Sequence, residues 1–498
     1  MDGQRCRRTE EMILKNNKLA GAAGLCLALA LAACHHSAPV DGLSGGASAG
    51  LQPIPRNAPK CAQPAEGQFF PPVDATTLGF NRQRLDEAIE YGNRLLSTSI
   101  RVYRYGCLAG ESQRDRYSIY VPQLMASASK TVLALSIGRA VTLGHLRVDD
   151  PIGKYLPEAD APHGALTVRQ LLTQTSGLRL VLADEIAGLL SDPVQQTLEE
   201  PFWYEPGSEY MYAQNTLATL SRIVERATGR DFQEFTQQEL MAPMGIQRSS
   251  WLWLRDRSGV TIAPGGLMMR PDDEARMGHL MLYSGLWNGR QLIDRGYMND
   301  LKHGTKANPG YGYLIWTNEG DTHKGSHIGR PVPVDYPLLP GSPRDAYGAM
   351  GALGQMIIAV PSRHMVIVRN GGPGDGLSTV EGMKYKELIR LITDAVDDQK
   401  RITDPGPLTY PESAGQFDDI LGYLNAFEWN LAGILLGLGQ DTLPDCNLIL
   451  CNGRLIVQDL ANFGGDTVLQ FLGVVTGSAT DAMGGREYSE VIYPQKQE

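Results

Sequence analysis

Ser127-Ala128-Ser129-Lys130 sets a hydroxyl and an amine three residues apart. On a helix such a pair shares a face, with Cβ atoms roughly 5–6 Å apart, so the amine reaches the hydroxyl. A serine hydroxyl is a poor nucleophile until a neighbouring base takes its proton, and a lysine serves once its pKa drops from about 10.4 toward 7–8. Burial and the positive end of a helix both push in that direction. The chemistry this supports is attack on a carbonyl carbon through a covalent acyl intermediate. The tetrad alone is a short pattern. Its weight comes from its place at the mouth of a helix over residues 129–146, where Val132, Leu133, Leu135, Ile137, Ala140 and Val141 leave little polar surface and predict a buried, central element.

Other chemistries find no support. The nine histidines form no His-Glu-x-x-His, and His279 and His364 read as surface or core residues, so no metal site is expected. The Gly-rich stretches lack the Lys-Ser/Thr of a phosphate-binding loop, and no organic cofactor is implied. A formal charge of -10, about -12 without the first 33 residues, repels nucleic acid and anionic lipid. With 42% apolar and 20% charged residues over 498 positions, the bulk of the chain reads as globular protein with a core large enough for an enzyme.

The elements that must hold the pair follow from periodicity. Residues 80–96 carry helical spacing through Leu85, Ile89 and Leu95, and residues 100–105 alternate as a strand. Helices are expected at 167–172, at 215–228 ending on Gly229, at 272–283 and at 380–397. Strands at 355–360 and 365–369 flank Pro361-Ser362 as a hairpin. Strands outside and helices between predict an α/β (α+β) fold, an antiparallel sheet lobe flanked by helices with a helical lobe inserted.

At this point the residues resemble the serine β-lactamase and penicillin-binding-protein family, specifically its class C branch with esterases and 6-aminohexanoate-dimer hydrolases. Besides the tetrad, the likeness rests on residues 166–178, on Pro206-Gly207 followed by Tyr212, on Gly265-Gly266-Leu267 before Arg270-Pro271-Asp272, and on residues 347–355. It implies a β-lactamase-like fold over residues 75–399. Tyr212 matches the tyrosine of a Tyr-x-Asn motif, which implies that it shares the acid/base work with Lys130. Gln214 stands where that motif has asparagine, with Asn215 adjacent, and the two are candidates for orienting substrate. The third motif, normally Lys-Thr-Gly or His-x-Gly on a strand beside the nucleophile, is matched to Ala352-Leu353-Gly354. That match implies close substrate approach at Gly354 and an oxyanion hole from the N–H groups of Ser127 and Gln355. A rival match at His327-Ile328-Gly329, preceded by Lys324, lacks a following hairpin.

Residues 19–33 form a 15-residue apolar run, shorter than a membrane-spanning helix needs, behind Lys15 and Lys18. It ends in Leu31-Ala32-Ala33-Cys34, which resembles a bacterial lipobox, so 1–33 is expected to be a lipoprotein signal peptide and Cys34 the lipid attachment. His35 after the anchor implies outer-membrane retention, on the periplasmic side. Residues 34–74 read as a flexible tether. Four cysteines then remain, an even number in an exported chain that suggests two disulfides. Of three connectivities, Cys61–Cys107 with Cys446–Cys451 is favoured. Residues 400–498 form a C-terminal extension without an interpretable motif. The expected function is a lipid-anchored hydrolase of small esters or amides with Ser127 as nucleophile. The alternatives are a class C-type β-lactamase or DD-peptidase, and an inactive relative that binds peptidoglycan or protein.

Overall fold

The runs Gln355–Val360 and Met365–Gly371 are rich in Ile, Val and Met, and they lie inside a sheet whose neighbours bury both their faces. The computed structural model describes residues 58–179, 193–255, 259–326, 333–376, 378–410, 450–451 and 454–455. Its 6-stranded sheet comprises β1 (Ser97–Arg104), β2 (Cys107–Glu111), β3 (Trp316–Thr317), β4 (Tyr347–Gly351), β5 (Gln355–Val360) and β6 (Met365–Gly371), in the order β2-β1-β6-β5-β4-β3. Every neighbouring pair is antiparallel. The expected hairpin is present: β5 turns through Pro361–Arg363 and a left-handed His364 into β6.

Helices cover both faces. Side chains alternate across a strand, so Ile100 of β1 meets Gly92 on α1 (Arg82–Asn93), while Arg101 and Tyr103 face α4 (Pro271–Leu282). Asn81 caps α1 by accepting the Arg84 N–H at 3.1 Å. α5 (Met383–Asp394) packs beside α1 through Leu388. Between β2 and β3 the chain leaves the sheet to form the helical lobe, which includes α2 (Ser129–Thr142) and α3 (Asn215–Thr228), the latter ended by a left-handed Gly229. Residues 129–140 of α2 are all buried, as an all-round apolar helix requires. Among the described residues no helix is long and apolar enough to cross a membrane.

Two expectations change. The tether does not extend to residue 74, because the chain from residue 58 is already packed on the sheet. The Val73 N–H donates to the Leu108 carbonyl and the Leu108 N–H to the Pro71 carbonyl, Phe70 is buried against Tyr103 and His279, and the Arg276 guanidinium donates to the Pro64 carbonyl at 3.0 Å. Its Pro/Gly-rich composition hid the one buried aromatic and the cysteine that anchor it. The boundary at 399 is likewise too early: Arg363 donates to the Lys400 carbonyl at 2.8 Å and Tyr336 to the Thr409 carbonyl at 3.0 Å. β4 was not foreseen as a strand, and its sequence Tyr-Gly-Ala-Met-Gly has little strand propensity. A Cβ on Gly348 would lie 2.1 Å from the Ile357 carbonyl oxygen, so close approach of β5 dictates the residue.

Cys61 and Cys107 are joined, 46 residues apart, as favoured from the sequence. Cys446 lies outside the described residues, and of Cys451 only the backbone is described, so the second pairing falls outside them too. Replacing both Cys61 and Cys107 with serine should lower the unfolding free energy by about 3–4 kcal/mol, the loop-closure value for this separation. Guanidinium denaturation with and without the bond measures it, and an unchanged midpoint would show that the arm is held by packing alone.

Candidate active site

The turn that presents Ser127 is set by Ala126, whose φ of 46° lies in the left-handed region that a residue with a Cβ adopts at a cost of about 1–3 kcal/mol. It opens a short helical turn, Ala126–Ala128, that runs directly into α2. Ser129 locks this turn to a neighbouring strand, donating to the Ala126 carbonyl at 2.5 Å and accepting the Leu267 N–H at 3.3 Å. Ser127 is thereby left half-exposed at a cleft, and Lys130 sits one turn deeper with 1% of its surface exposed.

Lys130 Nζ lies 2.9 Å from Ser127 Oγ, 2.6 Å from Gln214 Oε1 and 2.9 Å from the Pro264 carbonyl oxygen. As a neutral amine Nζ can accept the Ser127 proton through its lone pair while donating its two hydrogens to Gln214 and Pro264. The same Nζ stands 4.8 Å over the Tyr212 ring, and Tyr212 lines the cleft beside Ser127. Tyr212 is steadied by Trp316 and Tyr311 rings at 5.8 and 6.1 Å. Gln174, absent from the expected site, clamps this segment from behind: its side chain donates to the Ala213 carbonyl at 3.0 Å and accepts the Ala213 N–H at 2.8 Å. It lies within the 166–178 stretch already noted, which was the only signal for it. Gln214 therefore turns its carbonyl to the lysine, and Asn215 begins α3, its side chain lying outside the described residues.

The far wall differs from expectation. Met350, Gly351 and Ala352 line the cleft, whereas Gly354 and Gln355 do not. A Cβ on Gly351 would lie 2.1 Å from the Met125 carbonyl oxygen and 3.0 Å from Ser127 N, so this glycine is where β4 abuts the nucleophile turn. Among the described residues β3 pairs with β4 at Tyr347 and Gly348, short of Gly351. Ala352–Gly354 is the hairpin turn, with Leu353 at φ 66°. Gln355 starts β5 on the other side of it, and its side chain bonds both ways with the Gly371 backbone. Gly354 donates its N–H to Thr379 Oγ1 at 2.7 Å. The oxyanion assignment to Gln355 and the substrate contact at Gly354 are thus corrected: two glycines three residues apart invited a shift of register, and the inner one holds the site.

The cleft holds about 220 Å³ and is completed by Ser326, Ser378, Thr379 and Val380, none of which stood out in the sequence. Its described lining includes no Lys or Arg side chain. Lys324, a possible cation, pairs with Glu209 at 3.0 Å, and His327-Ile328-Gly329 lies outside the described residues. Among the described residues no cluster of His, Cys, Asp and Glu could hold a metal ion.

Residues 113–374 match the family model described as Beta-lactamase. The chain is 29% identical over 162 residues to monacolin J acid methylbutanoyltransferase of Aspergillus terreus, covering 27% of this chain and 39% of that protein. It is 31% identical over 144 residues to esterase EstB of Burkholderia gladioli, covering 25% of this chain and 36% of that one. The aligned region thus spans less than half the length of these curated relatives. A solved Bacillus anthracis structure whose name places it with 6-aminohexanoate-dimer hydrolases shares the fold, with a TM-score of 0.51 at 18% identity over 66% of this chain and 88% of its own.

The geometry generates one direct test. Lys130→Ala should slow fluorophosphonate labelling of Ser127 by about 10²–10⁴-fold, because the hydroxyl loses its hydrogen-bonded base. Gly351→Ala should slow it by about 10²-fold through displacement of the nucleophile turn. Labelling kinetics on folded variants decide, and wild-type rates in both would separate Ser127 from these two residues.

Proposed function

The chain belongs to the beta-lactamase family, and from the site it builds on that fold we infer a serine hydrolase of small esters or amides that works through an acyl-enzyme. The observation that carries this reading is the 2.9 Å contact between Lys130 Nζ and Ser127 Oγ at the floor of an open cleft. In the proposed cycle Ser127 Oγ attacks the substrate carbonyl while its proton passes to the Lys130–Tyr212 pair. Ser127, Gly351 and Ala352 line the cleft, and in this scheme their segment supplies the backbone N–H groups that stabilise the developing oxyanion. Collapse of the tetrahedral intermediate breaks the ester or amide bond, and the pair returns the proton to the leaving alcohol or amine. Water, deprotonated by the same pair, then releases the acid. Gln214 and Pro264 hold Lys130 in place through both halves. An intact Ser127, Lys130 and Tyr212 speaks against an inactive binding protein.

β-Lactams and D-Ala-D-Ala peptides carry a carboxylate, and the described cleft wall offers it no cation. An unpaired carboxylate in a partly buried cleft costs several kcal/mol, a handicap of about 10²–10³ in rate. A p-nitrophenyl short-chain ester should therefore exceed a chromogenic cephalosporin in kcat/KM by at least that factor. Equal values would make β-lactamase the better description.

The site of action is part of the same proposal. Cleavage before Cys34 and lipidation of its thiol would hold the enzyme on the periplasmic side of a bacterial outer membrane, since several acyl chains together give stable anchoring. In a Gram-negative host Cys34→Ala should move the protein from the membrane to the soluble fraction. Wild-type protein that is unlipidated and wholly soluble would remove the anchor from the scheme.

A further inference from the structure

The turn between β4 and β5 is fastened by a residue that the catalytic scheme does not use. Gly351 pairs with Gln355, so Ala352, Leu353 and Gly354 form a three-residue hairpin loop, with Leu353 and Gly354 both left-handed at φ 66° and 84°. A side-chain-bearing residue stays in that region only where its surroundings over-determine it. Thr379, buried on the stretch that leads into α5, supplies one fastening: its Oγ1 accepts the Gly354 N–H at 2.7 Å and donates to the Gly351 carbonyl. The direction of both bonds is fixed, because a hydroxyl has a single proton, an N–H can only donate and a carbonyl can only accept. A second tie comes from Arg369 on β6, whose Nη1 donates to the Leu353 carbonyl at 2.8 Å while its guanidinium lies 5.0 Å from the Tyr385 ring of α5. A Cβ on Gly354 would stand 2.0 Å from that nitrogen, so the turn must end on glycine.

The tie at Gly351 bears on the chemistry. In a trans peptide the C=O and the following N–H point in opposite directions, and none of the described peptides is cis. With the Gly351 carbonyl drawn to Thr379, the Ala352 N–H is directed the opposite way. Ala352 is exposed and lines the cleft with Ser127, and Gly351 beside it abuts the nucleophile turn. Rotation of this peptide, which the permissive backbone of Gly351 would otherwise allow, would swing a carbonyl oxygen toward a developing negative charge. Thr379 itself lines the cleft, but both bonds of its hydroxyl go to the backbone.

Resting on the hydrolase reading, we propose that Thr379 is a positioning residue for the transition state: its hydroxyl locks the Gly351–Ala352 peptide so that an N–H, and not a carbonyl, meets the oxyanion. It acts through the backbone and takes no proton from the substrate.

Thr379→Val keeps the volume of the side chain and removes the hydroxyl. Its kcat/KM for p-nitrophenyl butyrate should fall at least about tenfold, and the Ki of butylboronic acid, which becomes tetrahedral on Ser127, should rise by a similar factor. The Ki of p-nitrophenyl butyl ether, which has no carbonyl to polarise, should change by less than about threefold. Thr379→Ser retains a hydroxyl and should keep the ester and boronate values within about threefold of wild type. A merely structural role would weaken ether, boronate and ester together, which overturns the proposal. So does a serine variant as slow as the valine one, or a valine variant as fast as wild type. Should Thr379→Val fail to fold, Thr379→Ala carries the same expectations. Wild-type protein that neither hydrolyses the ester nor binds the boronate defeats the hydrolase reading and this one with it, whereas an active wild type indifferent to loss of the Thr379 hydroxyl defeats this inference alone.

Discussion

A lysine amine is buried at the centre of this molecule, and its burial is tolerable only because three oxygens from three separate segments converge on it. Stranding such a charge without partners costs several kcal/mol. Ser127 supplies one acceptor from the turn before α2, Gln214 another from the start of α3, and Pro264 a third from the loop ahead of α4. Each segment has its own fastening. Ser129 ties the turn to Leu267, Gln174 clamps the chain at Ala213, and Gly351 at the end of β4 abuts the turn from the sheet side. The helical lobe and the sheet lobe therefore meet at one amine, and the geometry that satisfies its charge also places a nucleophile beside it.

The strain at Ala126 belongs to the same constraint. A serine continuing a regular helix would share the buried environment of the rest of α2. The left-handed residue ahead of it redirects the chain so that Ser127 stays half-exposed while Lys130, three residues on, remains in the core.

Elements whose own residues dictate them were legible in the sequence: the apolar α2, α3 with its terminal Gly229, and the hairpin from Gln355 through Pro361 to β6. The Ser-x-x-Lys pair was legible for the same reason, since its contact spans a single helical turn. What could not be read is what neighbours impose. β4 is a strand because β5 and the nucleophile turn demand glycines there, and Gly351 rather than Gly354 meets Ser127 because a three-residue turn consumes the second glycine. The packed arm at 58–74 looked like linker, its Phe69-Phe70 pair being followed at once by two prolines.

The strand order has its own consequence for how the chain reaches this state. β1 and β2 are synthesised early, yet the other side of β1 pairs with β6, in a register that joins Ser97 to Gly371. Most of the protein must be made before that edge is covered. Contacts of such long sequence separation close slowly, and a strand with a naked edge is the kind of surface on which partly made chains stick to one another. The β1–β2 hairpin is thus the part of the sheet that waits longest with an uncovered edge, and β6 is the strand that closes it.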